Sequence, residues 1–100
     1  MEVLMNMEQA MDYLLETSVI LRDAISQHNE DKSQEAVTIL LTQALDFFGQ
    51  DNPVMAQLFP VFNEIKKRLD ADNWEGALSQ TDTWISQINE VKELVSQREQ

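Results

Sequence analysis

A helix-start signal appears twice in this chain, at positions 31 and 72, 41 residues apart. Asp31-Lys32-Ser33-Gln34 precedes Ala36 and Val37, and Asp72-Asn73-Trp74-Glu75 precedes Ala77 and Leu78. In each, an Asp carboxylate can accept a hydrogen bond from the free N–H groups of a first helical turn. A Gln or Glu three residues on can reach back to the cap's own N–H. Apolar helical runs flank both signals. The chain therefore reads as two tandem helical hairpins. The expected fold is all-α, an antiparallel up-down four-helix bundle forming one domain over residues 1–100.

Composition agrees with that reading and narrows the function. With 43% apolar residues in 100, the chain can build one core, but not a core and a deep substrate cavity as well. Two Gly and two Pro are too few for the closely spaced turns of a β-rich fold. Cys is absent, which removes disulfides and thiolate metal sites. Eighteen acids against seven bases give a net charge of −11, a field that repels phosphate backbones, so no nucleic-acid partner is expected. Lys66-Lys67-Arg68 is the one basic cluster, and it suits the C-terminal end of a helix. No apolar run approaches the ~20 residues needed to span a bilayer. Met1 to Asp12 carries three acids and no base, unlike a signal peptide. The expected setting is cytoplasmic, with no membrane partner.

Four segments follow from the periodicity. The first runs from about Val3 to Gln27, with Leu4, Met7, Met11, Leu14, Ser18, Leu21 and Ile25 at alternating spacings of three and four. Ala10, Leu15, Val19 and Ala24 widen its stripe. The second, after the Asp31 signal, carries the densest apolar face, from Ala36 to Phe47 and Phe48. Gly49 then suits a left-handed stop, and Asp51-Asn52-Pro53 supplies a cap and a proline for the first helical position. The third runs from Pro53 to about Asp70, where interior Pro60 predicts either a kink or a fresh helix start. The fourth runs from Trp74 to about Arg98 along Leu78, Thr81, Ile85, Ile88 and Val95. Breaks are expected near 28–31, 49–52 and 70–73, all short enough to make consecutive helices antiparallel.

No constellation for chemistry emerges. With no Cys and a lone His28 in a polar turn, nucleophilic catalysis lacks its parts. One His cannot furnish the paired Glu-x-x-His of a di-iron bundle. Glu8, Asp12 and Glu16 line up along one helix face and read as solvated acids. The stretch 70–81 begins like a calcium loop, but Trp74 stands at the fifth ligand, Glu75 at the required Gly, and Thr81 where a bidentate Glu belongs. No metal, no cofactor and no enzymatic activity are expected.

Three family resemblances can be weighed against these residues. Trp74-Glu75-Gly76 resembles the Trp-x-Gly signature of small secreted helical hairpins of type VII systems. There the motif marks a mid-chain turn; here it follows three helical segments, so Trp74 is read as packing at a helix start and Gly76 as relieving crowding. Asp72 to Leu78 is similar to the second-helix start of tetratricopeptide repeats, but a spacing of 41 does not fit their 34-residue period. In size, charge and helix layout the whole chain resembles the flagellar and type III export chaperones, which hold a client segment along a bundle surface. No residue motif of that family is present.

That resemblance implies a protein-binding module that holds an amphipathic partner segment. Met and aromatic side chains suit adaptable grooves for partner helices. Phe47, Phe48, Phe59 and Trp84 are the residues assigned to partner binding, Trp84 as a rim or groove residue flanking the Leu78/Ile85/Ile88 stripe. The alternative is a structural or assembly subunit that self-associates through an apolar patch; the oligomeric state is left open between monomer and homodimer.

Overall fold

The computed structural model describes residues 7–98, and of these the side chains of all but Met7, Val95, Ser96 and Arg98. Four helices follow one another: α1 (Met7–Ser26), α2 (Glu30–Phe48), α3 (Pro53–Asp70) and α4 (Trp74–Arg98). No strand occurs among the described residues. Each helix packs on its chain neighbours, and α1 also packs along α4, which closes a square bundle; the α2–α3 seam is the loosest. Antiparallel register along α1 and α4 is set by Arg22–Asp82 near one end and Asp12–Lys92 near the other. The Val3 and Leu4 part of the first segment lies outside the described residues.

The turns form where expected, but with different capping residues. At the end of α1, His28 takes a left-handed φ of 55°. Its N–H donates to the Ile25 carbonyl at 2.9 Å, and the Asn29 N–H donates to the Ala24 carbonyl at 2.9 Å. Those are the paired bonds of a Schellman stop, which satisfy carbonyls left free at a helix end. Asn29 then serves as N-cap of α2, its Oδ1 accepting from the Lys32 N–H at 3.1 Å. The α3–α4 turn repeats this geometry. Asp72 has φ 57°, Asp72 N–H donates to Leu69, Asn73 N–H to Arg68, and Asn73 Oδ1 accepts from the Gly76 N–H at 2.9 Å.

The assignment of Asp31 and Asp72 as caps is therefore corrected. Asp31 lies inside the first turn of α2, where its charge suits the helix dipole. Asp72 is the left-handed residue of the preceding stop, and Asn73 is the cap. His, Asn and Asp are the non-glycine residues that tolerate this conformation best. Asn29 or Asp31 in the first turn, and Asp72 or Asn73 in the second, could have capped; the Schellman bonds select Asn29 and Asn73.

Aligning the two turns moves the internal offset from 41 to 44 and brings the buried positions into register. Met11 matches Met55, Leu14 matches Leu58, Leu21 matches Ile65 and Ile25 matches Leu69, all buried. Along the other two helices Ser33 matches Ala77, Val37 matches Thr81, Leu40 matches Trp84 and Ala44 matches Ile88. The largest departures compensate across the bundle. Small Ser18 faces the Trp84 indole, while Phe62, its counterpart on α3, meets the same indole edge-on at 6.3 Å. One large ring from α4 thus fills space that a second aromatic on α1 would have overfilled.

The middle turn follows the sequence. Gly49, at φ 75°, donates its N–H to the Leu45 carbonyl, and the Asn52 side chain accepts from the Val54 N–H at 2.9 Å with Pro53 opening α3. Of the two outcomes expected at Pro60, a kink or a fresh helix start, the fresh start is not found, because α3 runs unbroken through it. Pro60 and Ala56 are both exposed, so the carbonyl that Pro60 leaves without a donor lies on the side where water can reach it.

Candidate functional site

The four residues assigned to partner binding do not share one surface. Trp84 is 1% exposed, and its indole Nε1 donates to Ser18 Oγ at 2.8 Å, so its placement on a rim is corrected: it is central core. Its position beside the Leu78/Ile85/Ile88 stripe is the inner side of α4, since α1 and α3 both pack there. Phe48 is buried as well, at 8%. Phe59 is 41% exposed and stands over the α2–α3 seam, meeting Phe62 edge-on at 6.3 Å. Phe47 is half-buried on the opposite side of α2, 6.5 Å from the Tyr13 ring.

The seam beneath Phe59 is apolar but closed. Leu41, Ala44, Met55, Leu58, Phe62 and Trp84 surround a space of about 10 Å³, the lower limit for a single water. Two further depressions lie along α4, around residues 75–86 and 90–97; both are shallow and lined by that one helix. None of these three places has the depth of a small-molecule site.

Of the six exposed large apolar side chains among the described residues, three, Tyr13, Ile20 and Ile39, lie on the outer face of the α1–α2 hairpin. The others are Phe59, Leu94 and Val19, which the periodicity places in the α1 core stripe but which is 50% exposed. Tyr13 and Ile20 lie seven residues apart on α1, at 48% and 55% exposure, and Ile39 on α2 is 43% exposed. The register of this hairpin is fixed by Thr17 Oγ1 donating to Gln43 Oε1 at 2.8 Å and by the Tyr13–Phe47 ring contact. Both place Ile20 opposite the Ile39 stretch of α2, one turn beyond the Thr17–Gln43 bond. The face is therefore an apolar pair at each end with a satisfied polar pair between. Sequence reasoning passed over Tyr13, Ile20 and Ile39 because they fall outside the core stripes. That exclusion was itself the signal, since an apolar residue that periodicity directs outward must find its cover elsewhere or remain in water.

Acids border this face. Glu16 on α1 and Glu35 and Asp46 on α2 are exposed, and among the described residues none of the three has an ion-pair partner. The pairs that do form lie elsewhere. Arg22 Nε meets Asp82 at 2.7 Å, a contact that raises the guanidinium's pKa; Lys92 hydrogen-bonds Asp12, which raises the ammonium's pKa. Lys66 Nζ bridges Gln34 Oε1 at 2.7 Å and Asp70 at 3.2 Å across the seam.

The residues of the calcium-like stretch are engaged in the fold. Asp70 accepts from Gln34 and Lys66, the Asn73 amide oxygen caps α4, and Thr81 is fully buried with its hydroxyl on the Ala77 carbonyl. His28 stacks on Trp74 at 5.0 Å and 9°, joining the first and third turns at one end of the bundle. Among the described residues no three His, Asp or Glu side chains gather into a group able to hold a metal ion, and no helix is long and apolar enough to cross a membrane.

The fold defines an all-α chain of four packed helices. No family model, curated protein or solved structure matches it.

Proposed function

We propose that this protein is a non-enzymatic binding module of the cytoplasm that holds an amphipathic segment of another protein on its surface, in the manner of a small chaperone. The observation that supports this reading is the placement of Tyr13, Ile20 and Ile39 on one outer face, with Phe47 beside them, while the core is filled by other residues. Single exposed apolar residues are ordinary, but a row of them across two helices marks an interaction surface. A helix laid along the line between α1 and α2 would present anchors spaced by three, four and seven residues to it. Phe59 and the seam are a lesser candidate, because the space beneath is already filled.

Self-association is the competing reading. A symmetric dimer through this face would set the same surface against itself and bring the acidic borders of the two copies, each with Glu16, Glu35 and Asp46, together. Its acidic border therefore favours a foreign partner. The test is sedimentation velocity across a hundredfold concentration range, combined with NMR titration using a neutral amphipathic helical peptide. A concentration-independent monomer whose Tyr13, Ile20 and Ile39 resonances move on titration supports capture. A dimer, or a monomer whose hairpin face does not respond to the peptide, overturns it.

A further inference from the structure

We propose that the partner of the α1–α2 face is a cationic amphipathic helix. Its apolar stripe would seat on Tyr13, Ile20, Ile39 and Phe47, and its Lys or Arg side chains would reach Glu16, Glu35 and Asp46. The proposal rests on the binding-module reading above and specifies the chemistry of what is bound.

Three observations support it. Tyr13, Ile20 and Ile39 are exposed rather than absorbed into the core, and Phe47 is half-buried beside Tyr13, so a partner can cover them without unfolding the bundle. The spacing of Tyr13 and Ile20 is seven residues, about 10 Å of helix, which matches the i to i+7 anchor spacing of a second helix lying along the hairpin. The acids lie on both helices, so a docked helix has carboxylates on each flank, and these carboxylates have no ion-pair partner among the described residues. Lys32, near the turn end of α2, forms no ion pair with any of them. A partner flanked by acids would add to a chain already at −11; a cationic one relieves that repulsion.

The test uses the full chain and two peptides of about 15 residues that share one leucine stripe at helical spacing, with Lys or Gln at the polar positions. At low ionic strength the Lys peptide should bind about tenfold more tightly than the Gln peptide, the combined effect of a few exposed charge pairs. That advantage should fall away at about 0.3 M salt. Glu16→Gln/Glu35→Gln/Asp46→Asn should remove the advantage and leave Gln-peptide binding unchanged. Ile20→Ser/Ile39→Ser should weaken both peptides by about tenfold, whereas Leu94→Ser, an exposed apolar residue on α4, should not. Circular dichroism confirms that each variant remains folded.

Equal binding of the two peptides at this face overturns the cationic partner and leaves the binding module standing. Lys-peptide binding that the face variants do not weaken means attraction to net charge elsewhere, and overturns the proposed site. Failure of both peptides, or a dimer that Ile20→Ser/Ile39→Ser dissociates, overturns the binding-module reading as well.

Discussion

Trp84 on α4 and Ser18 on α1 are joined at the centre of the bundle by a 2.8 Å hydrogen bond from the indole Nε1 to the serine Oγ. Ser18 in turn donates to the Leu14 carbonyl at 2.6 Å. Both side chains are excluded from water, so neither group has a second partner to turn to. The small residue makes room for the large one and also satisfies its single polar atom.

Ser18→Ala should therefore destabilise the protein by about 1–3 kcal/mol, because it leaves the indole N–H buried and unpaired. Trp84→Ala should lose about 3–5 kcal/mol through the cavity it opens. In a Trp84→Phe background, Ser18→Ala should cost well under 1 kcal/mol, since the donor is already gone. Urea melts of the four variants measure the coupling; additive losses would show that the hydrogen bond contributes nothing.

Capping gives a prediction that separates Asn from Asp. Asn29→Ala, Asn52→Ala and Asn73→Ala should each lose about 1 kcal/mol, as each side chain serves a free N–H of a first turn. Asp31→Ala, which removes only a charge near the α2 dipole, should lose a few tenths to about 0.5 kcal/mol. Equal losses in urea melts would return Asp31 to the role of cap.

Gly76 reports on the same cap. A Cβ there would stand 2.5 Å from Asn73 Nδ2 and 2.7 Å from an Arg68 guanidinium nitrogen. Gly76→Ala should gain up to about 1 kcal/mol of helix propensity and lose about as much by pushing the Asn73 side chain from its cap. In wild type the change should be close to neutral. In an Asn73→Ala background it should stabilise by about 1 kcal/mol, a difference that chemical denaturation resolves.

Ser33 is fully buried, and its hydroxyl has no hydrogen-bond partner among the described residues. The corresponding position in the second hairpin is Ala77, equally buried. Ser33→Ala should stabilise the protein by about 1 kcal/mol, by removing an unsatisfied group and improving helix propensity. Ala77→Ser should do the opposite. A rise in thermal midpoint for the first and a fall for the second is the expected pair of results.

Lys92 gives a pH signature. Its hydrogen bond to Asp12 raises its pKa in the folded state above the ordinary 10.5. A raised folded value means that the contribution is complete below the ordinary pKa and is lost as pH climbs through the folded one. The stability difference between wild type and Lys92→Met should be constant at neutral pH and shrink above about 10.5. Exposure of the pair keeps the effect small. Arg22→Met, which removes a group that stays charged throughout, should show no such change over the same range.

Helix number, order and breaks were set by local chemistry and could be read from the chain. Gly49 stops a helix and Pro53 starts one whatever surrounds them, and the spacing of Leu14, Ser18, Leu21 and Ile25 defines one face of a helix by geometry alone. Packing decided the rest. Which polar residue capped depended on Schellman bonds that place His28 and Asp72 in the left-handed region, because Asn29 and Asp31, like Asp72 and Asn73, carry almost equal local preference for the cap. Trp84 looked like a flanking residue because a single helix has no inside until its neighbours are placed. The α1 and α3 helices then met on that side, and Ser18 supplied the space and the acceptor. Tyr13, Ile20 and Ile39 show the same dependence in reverse. Their place outside the core stripes was legible in the spacing, but only the closed square of α1 to α4 decided that no neighbouring helix covers them, because a helix has more faces than its neighbours can cover.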